Sequence, residues 1–97
     1  MRVTYRLASE NLASVASEAA WAENMGFNAM SSNETAHDSF LPLALAATST
    51  NRAVLETRVA IAFPRSPMVT AYLARDLQDL SKGRFRLGLG TQVKGHI

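Results

Sequence analysis

The chain has 97 residues, 47% of them hydrophobic and 19% charged, with no cysteine and a net charge of +2. That leaves room for one small packed domain and excludes a disulfide framework, a thiolate metal site and a cysteine nucleophile. The basic residues are scattered with no stripe beside aromatics, which argues against nucleic acid, and no stretch has the apolar run of a signal peptide or membrane span, so a cytoplasmic protein is expected.

Residues 3–7, Val-Thr-Tyr-Arg-Leu, read as a short strand. A helix follows, from a cap at Ser9 or Asn11 to Met25, with Leu12, Val15, Ala19 and Ala22 on one face and Gly26 as its stop. Trp21 lies off that stripe and is expected at a helix flank. A second strand covers 27–31, and a polar stretch, 32–37, comes next. Asp38 is placed to cap a second helix whose face is Phe40, Leu43, Ala44 and Ala47. Residues 53–63 are rich in Val, Ala and Ile and hold a third strand. Ser66 and Pro67 have the residue types of an N-cap and a first helical position. The third helix then buries Val69, Leu73, Leu77 and Leu80, carries an Arg75–Asp79 pair on its other side, and stops at Gly83. A fourth strand spans 84–89. The order β-α-β-α-β-α-β with short connections predicts an α/β fold with parallel strands and right-handed crossovers.

The end of the chain, GRFRLGLGTQVKGHI, invites comparison with phosphate loops, and both comparisons fail. A G-x-G-x-x-G beginning at Gly88 meets Val93 at its third glycine. A G-x-x-x-x-G from Gly90 to Gly95 has His96 where the phosphate-binding lysine belongs. Strand alternation is more informative: Phe85, Leu87 and Leu89 point one way, Gly88 and Gly90 the other. In a barrel the glycines would face the lumen, either leaving space for a flat ring or fitting a crowded layer. Both readings stay open from the residues alone.

A longer series is more specific. Ala22-Glu23 with Gly26-Phe27, Glu34, Asp38 with Phe40, Thr57 with Val59, Arg65-Ser66-Pro67, and Leu80-Ser81-Lys82-Gly83-Arg84-Phe85 running into Leu87-Gly88-Leu89-Gly90 resemble the luciferase-like monooxygenase superfamily. Within it, VAIAFPRSPM and LGLGTQVKGHI are most similar to the oxidoreductases that use a deazaflavin, coenzyme F-420. The resemblance implies the first half, four strands, of a TIM (β/α)₈ barrel, with residues 1–97 as a single incomplete domain of a longer enzyme. It implies hydride transfer between the deazaflavin and a small organic substrate, with FMN and a monooxygenase reaction as the alternative. A non-catalytic half-barrel that self-associates is the reading from another class, since open sheet edges and an uncovered inner face favour association.

The resemblance also assigns site residues, at the strand ends where such barrels place their chemistry. Glu34, past the second strand, is expected to face the ring or substrate as proton donor or orienter, and nearby His37 as an alternative acid. Thr35 stands where relatives carry a histidine or another polar residue. The third strand is expected to end in a non-prolyl cis peptide at Arg58–Val59, placing Val59 behind the ring, with Phe63 and Arg65 near the rim. After the fourth strand, Gly90, Thr91 and Gln92 are the expected cofactor contacts, with His96 reaching a phosphate or the substrate. No metal site is expected.

Overall fold

The computed structural model describes residues 2–7, 11–34, 38–61 and 65–90. The elements run β1 (Thr4–Arg6), α1 (Val15–Asn24), β2 (Ala29–Ser32), α2 (Phe40–Ser49), β3 (Val54–Thr57), β4 (Ala60–Ile61), α3 (Pro67–Leu80), β5 (Phe85–Arg86) and β6 (Leu89–Gly90). All strand pairings are parallel, in the order β1-β2-β3-β5, with β4 and β6 forming a second, shorter level. The expected α/β architecture is therefore present. Two expected strands are each divided: the third into β3 and β4 at a cis Arg58–Val59 peptide, where the resemblance puts one, and the fourth into β5 and β6. One hydroxyl joins the two levels. Thr57 Oγ1 donates to the Gly88 carbonyl at 2.8 Å and accepts from the Gly88 N–H at 2.8 Å, while the Ala60 N–H also donates to the Gly88 carbonyl.

The helix boundaries follow from local chemistry. Asp38 Oδ2 accepts from the N–H groups of Phe40 and Leu41, both at 2.7 Å, which satisfies two donors that the first turn of α2 leaves free. Pro42 lies in the same first turn, where a missing N–H costs nothing. Ser66 Oγ accepts from Val69 N at 3.1 Å, with Pro67 opening α3. At the end of α1, Gly26 has φ +108, its N–H reaches the Glu23 carbonyl and the Phe27 N–H reaches that of Ala22, a Schellman closure. The end of α3 differs from expectation. Lys82, at φ 57, takes the left-handed position and Gly83 comes one residue later, with their N–H groups on the Asp79 and Gln78 carbonyls.

The core lies between the sheet and the three helices. Tyr5, Met30, Leu55 and Phe85 form one cross-strand row facing the helices, and Arg6, Ser31, Glu56 and Arg86 form the next row on the opposite face. Val15, Ala19 and Ala22 of α1 and Phe40, Leu43 and Ala47 of α2 are buried as the periodicity predicts. Leu12 is exposed because a 3-10 turn, Leu12–Ser14, precedes α1 and turns it off the helical stripe. The buried stripe of α3 is rotated from expectation: Thr70 and Leu77 are inside, Leu73 is half-buried, and Val69 and Leu80 are each 45% exposed. Arg75 and Asp79 form no ion pair among the described residues. Trp21, half-exposed, meets Tyr5 edge-on at 5.9 Å, the flank position expected of it.

The connection from α2 to β3 is held from both sides by charged side chains that bond to main chain. Glu23 accepts from the N–H groups of Asn51, Arg52 and Ala53 at 2.7–3.2 Å. Partial burial raises the pKa of this carboxyl, but the three N–H donors and the Arg52 charge together hold it below its ordinary value. A carboxylate whose folded pKa is depressed adds stability above its unfolded value, near 4.5, and loses it as pH falls through the folded value. Glu23→Gln is therefore expected to lower stability by about 1–2 kcal/mol at pH 7. That difference should shrink steadily below pH ~4.5, as read by urea unfolding across the range. From the other side, Arg84 donates to the carbonyls of Ala47, Thr50, Ala53 and Ser81 and to Thr50 Oγ1.

Candidate functional site

The C-terminal ends of β2, β3 and β6 and the starts of α2 and α3 converge at one end of the sheet. The dominant feature there is Arg65, just before α3. Its Nη1 lies 2.9 Å from Glu34 Oε1 and its Nη2 lies 3.0 Å from Glu34 Oε2, a two-point pairing. Nη2 is also 2.6 Å from Asp38 Oδ1, and Nη1 is 3.1 Å from the Ile61 carbonyl. The guanidinium stands 4.8 Å from the ring centroid of Phe40. The Arg65 and Glu34 side chains are only 13% and 15% exposed, so these contacts are poorly screened and geometrically fixed. The pairing with Glu34, opposed by partial burial and helped by Asp38, raises the arginine pKa above its already high value.

Glu34 thus differs from the carboxylate that the resemblance implies. Besides Arg65 it accepts from Ile61 N at 3.0 Å and Ser39 Oγ at 3.3 Å. Four donors converge on its two oxygens, so it acts as an acceptor that ties the exit of β2 to β4 and to the starts of α2 and α3. Asp38 both caps α2 and pairs with Arg65, uniting two roles on one side chain.

Val59 and Gly90 come together. The backbone of Gly90 lies so close to Val59 that a Cβ added to Gly90 would stand 2.8 Å from Val59 Cγ2. The space over Gly90 is occupied by the Val59 side chain. At Gly88 the approach is closer still, since an added Cβ would run into the Thr57 carbonyl oxygen. Gly88→Ala is accordingly expected to cost about 1–3 kcal/mol by forcing the two strand levels apart, seen as a lowered urea midpoint. Leu87 and Leu89, expected on the side away from the lumen, are 40% and 49% exposed, beyond the cover that α3 gives β5. Phe85 alone of that row is buried. Thr35, His37, Phe63, Thr91, Gln92 and His96 lie outside the described residues.

Two features bear on whether a flat cofactor ring fits here. Val59 is 45% exposed, so its isopropyl group offers an apolar support at the strand ends. Ser32 Oγ is buried and lacks a hydrogen-bond partner among the described residues, but Ser32 continues the helix-facing row of Met30 and does not belong to that support. The residues present fit one wall of a ring site.

The sequence reading missed the importance of Arg65. A signal for Arg65 was available, since an arginine past the third strand and two acidic residues past the second meet on adjacent parallel strands.

A parallel α/β sheet with helices on one side and polar groups gathered at its C-terminal strand ends has the architecture of part of a TIM-type barrel. The sequence profile of the luciferase-like monooxygenase family matches residues 2–97, and the chain belongs to that family. Uncharacterised proteins of Mycobacterium tuberculosis and Mycobacterium bovis are each 50% identical over 86 residues, covering 89% of this chain and 25% of theirs. The chain thus spans about a quarter of the length of the curated relatives it matches. Among solved structures, the coenzyme F-420-dependent tetrahydromethanopterin reductase of Methanopyrus kandleri superposes with a TM-score of 0.85 at 23% identity, over 98% of this chain and 28% of that one. The oxygenating constituent of 3,6-diketocamphane monooxygenase from Pseudomonas putida, solved with FMN, superposes with a TM-score of 0.81 at 18% identity, over 96% and 30%. A monooxygenase of Streptomyces bottropensis gives 0.82 at 20%, over 96% and 34%. These likenesses show the fold. Among the described residues, no helix is long and apolar enough to cross a membrane.

Proposed function

We propose that the chain forms the N-terminal part of a cytoplasmic luciferase-like oxidoreductase that passes a hydride between the deazaflavin coenzyme F-420 and a small organic molecule, and that these 97 residues alone are inactive. The observation that supports it is the half-exposed Val59, seated against Gly90 at the end of the sheet, within the two segments that most resemble the deazaflavin branch. The coenzyme, when bound, supplies the hydride chemistry. In this reading Val59 supports the ring, Gly90 lets the backbone come close, and Thr91, Gln92 and Thr35 supply hydrogen bonds. His96 meets a phosphate or the substrate. Glu34 serves as an orienter, because both of its oxygens are already held by Arg65 and two other donors. The proton-transfer role then falls to His37.

A second reading, an FMN-dependent monooxygenase of the same family, is favoured by the two monooxygenases among the structural neighbours, one of them solved with FMN. A chimera separates the two. This chain replaces the matching quarter of the Mycobacterium tuberculosis relative, and the product is titrated with F-420 and with FMN by fluorescence, beside the unaltered relative. The proposal expects saturable F-420 binding and none of FMN at tenfold higher concentration. Tight FMN binding alone would establish the second reading. Loss of all binding in a folded chimera, when the unaltered relative binds, would reject the site.

A further inference from the structure

We infer that the inner face of the sheet, turned away from the helices, receives carboxylates carried on neighbouring strands of a longer barrel, and that Arg6 and Arg86 are the residues that bind them. The inference rests on the chain being part of such a barrel and not on its coenzyme. The face is strongly basic. Arg6, Ser31, Glu56 and Arg86 form one row across it, and Arg2 and Arg58 reach that row from the two ends of the strands through Glu56. Among the described residues, four guanidinium groups there share one carboxylate.

That carboxylate is already committed. Glu56 Oε2 lies 3.0 Å from Arg2 Nη2, and its Oε1 lies 3.8 Å from Arg58 Nη1. Arg86 stands beside Glu56 in register, yet its Nη1 donates to the carbonyls of Phe85 and Gly83 at 3.1 and 3.4 Å. Arg6 forms no ion pair among the described residues. Both arginines are exposed in this chain, where water solvates them. Closing the sheet changes that. The interior of such a barrel is a packed core, layered from the inward-pointing side chains of several strands, and not a pore. A guanidinium does not give up its proton, so within that core it needs an anion in reach.

The two cations also mark where the anions belong. In the order β1-β2-β3-β5, Arg6 lies on one open edge and Arg86 on the other. Parallel strands added at those edges would run ~4.8 Å away, and an Asp or Glu pointing inward at the same level would meet each arginine. The curated relatives, of which this chain matches 25%, have the length to supply such strands. A small bound anion suits the place less well. The row sits one residue below Ser32 and Thr57, inside the sheet, whereas barrels bind their ligands beyond the strand ends.

Urea unfolding of this chain alone and of its chimera with the Mycobacterium tuberculosis relative tests the inference, whether or not the chimera binds F-420. Loss of coenzyme binding and loss of the pairing are thus separately visible. The chain alone should tolerate Arg6→Gln and Arg86→Gln, with midpoints moving by less than ~0.2 M, while in the chimera each should lower the midpoint by at least ~0.5 M. Arg86→Glu should cost the chimera more, and changing one inward-facing acidic residue of the strand beside β5 to arginine should recover at least half of that loss. Small and equal effects in both proteins would overturn the inference. So would a large effect in the chain alone, which would put the partner within these residues. A third result would also overturn it: inorganic phosphate raising the chimera's midpoint, with Arg6→Gln or Arg86→Gln abolishing the rise, would make a bound anion the counterpart.

Discussion

Replacing Arg84 with lysine is expected to lower the stability of the chain by roughly 2–4 kcal/mol. All five N–H donors of its guanidinium are engaged: Nε on the Ser81 carbonyl at 2.8 Å, Nη1 on Thr50 Oγ1 and the Ala53 carbonyl, and Nη2 on the Ala47 and Thr50 carbonyls. The last turn of α2 leaves carbonyls without intrahelical partners, and a cation there also complements the helix dipole. Lysine keeps the charge but gathers its three donors at one point, so it cannot reach acceptors spread around a planar fork. The stranded carbonyls then carry the cost of desolvation without a bond. Against a total stability of about 5–15 kcal/mol for a small domain, this loss is large. Urea unfolding of the two proteins reads it directly, and a midpoint change worth less than ~0.5 kcal/mol would show that the fork geometry is immaterial.

Arg65→Met is expected to be comparably damaging, at about 2–4 kcal/mol, because it leaves Glu34 and Asp38 facing each other with no cation between them. The companion measurement is a double-mutant cycle with Glu34→Gln. Side chains that meet at two points should couple by at least ~1 kcal/mol, and that coupling should change little between low salt and ~0.5 M salt, since both groups are shielded from solvent. Arg65→Met being less harmful in the Glu34→Gln background than alone is the signature of the pairing. Strict additivity would mean that Arg65 acts only through Phe40 and the start of α3.

Much of the framework was legible because it is written locally. Asp38, Ser66, Pro67 and Gly26 each act within four residues of their own position, and helical periodicity placed most of the faces of α1 and α2. What was not legible depends on residues far apart in sequence. The division of the third and fourth strands is visible only where Thr57 meets Gly88, 31 residues on. The pairing of Glu34 with Arg65 spans the same separation, and without it Glu34 reads as a free carboxylate at a strand end. Leu87 and Leu89 were misplaced for another reason: alternation says which way a side chain points, but burial also needs something on that side to cover it.

The grip on the α2–β3 connection has a consequence for sequence drift. Glu23 recognises the N–H groups of Asn51, Arg52 and Ala53, and Arg84 recognises carbonyls before and after them. Main-chain groups are the same whatever the side chain, proline excepted. The exposed positions 51 and 52 can therefore vary with little loosening of the turn they form, the Arg52 charge beside Glu23 apart, while the two residues that hold it, neither of them in the turn, are the ones whose change is costly.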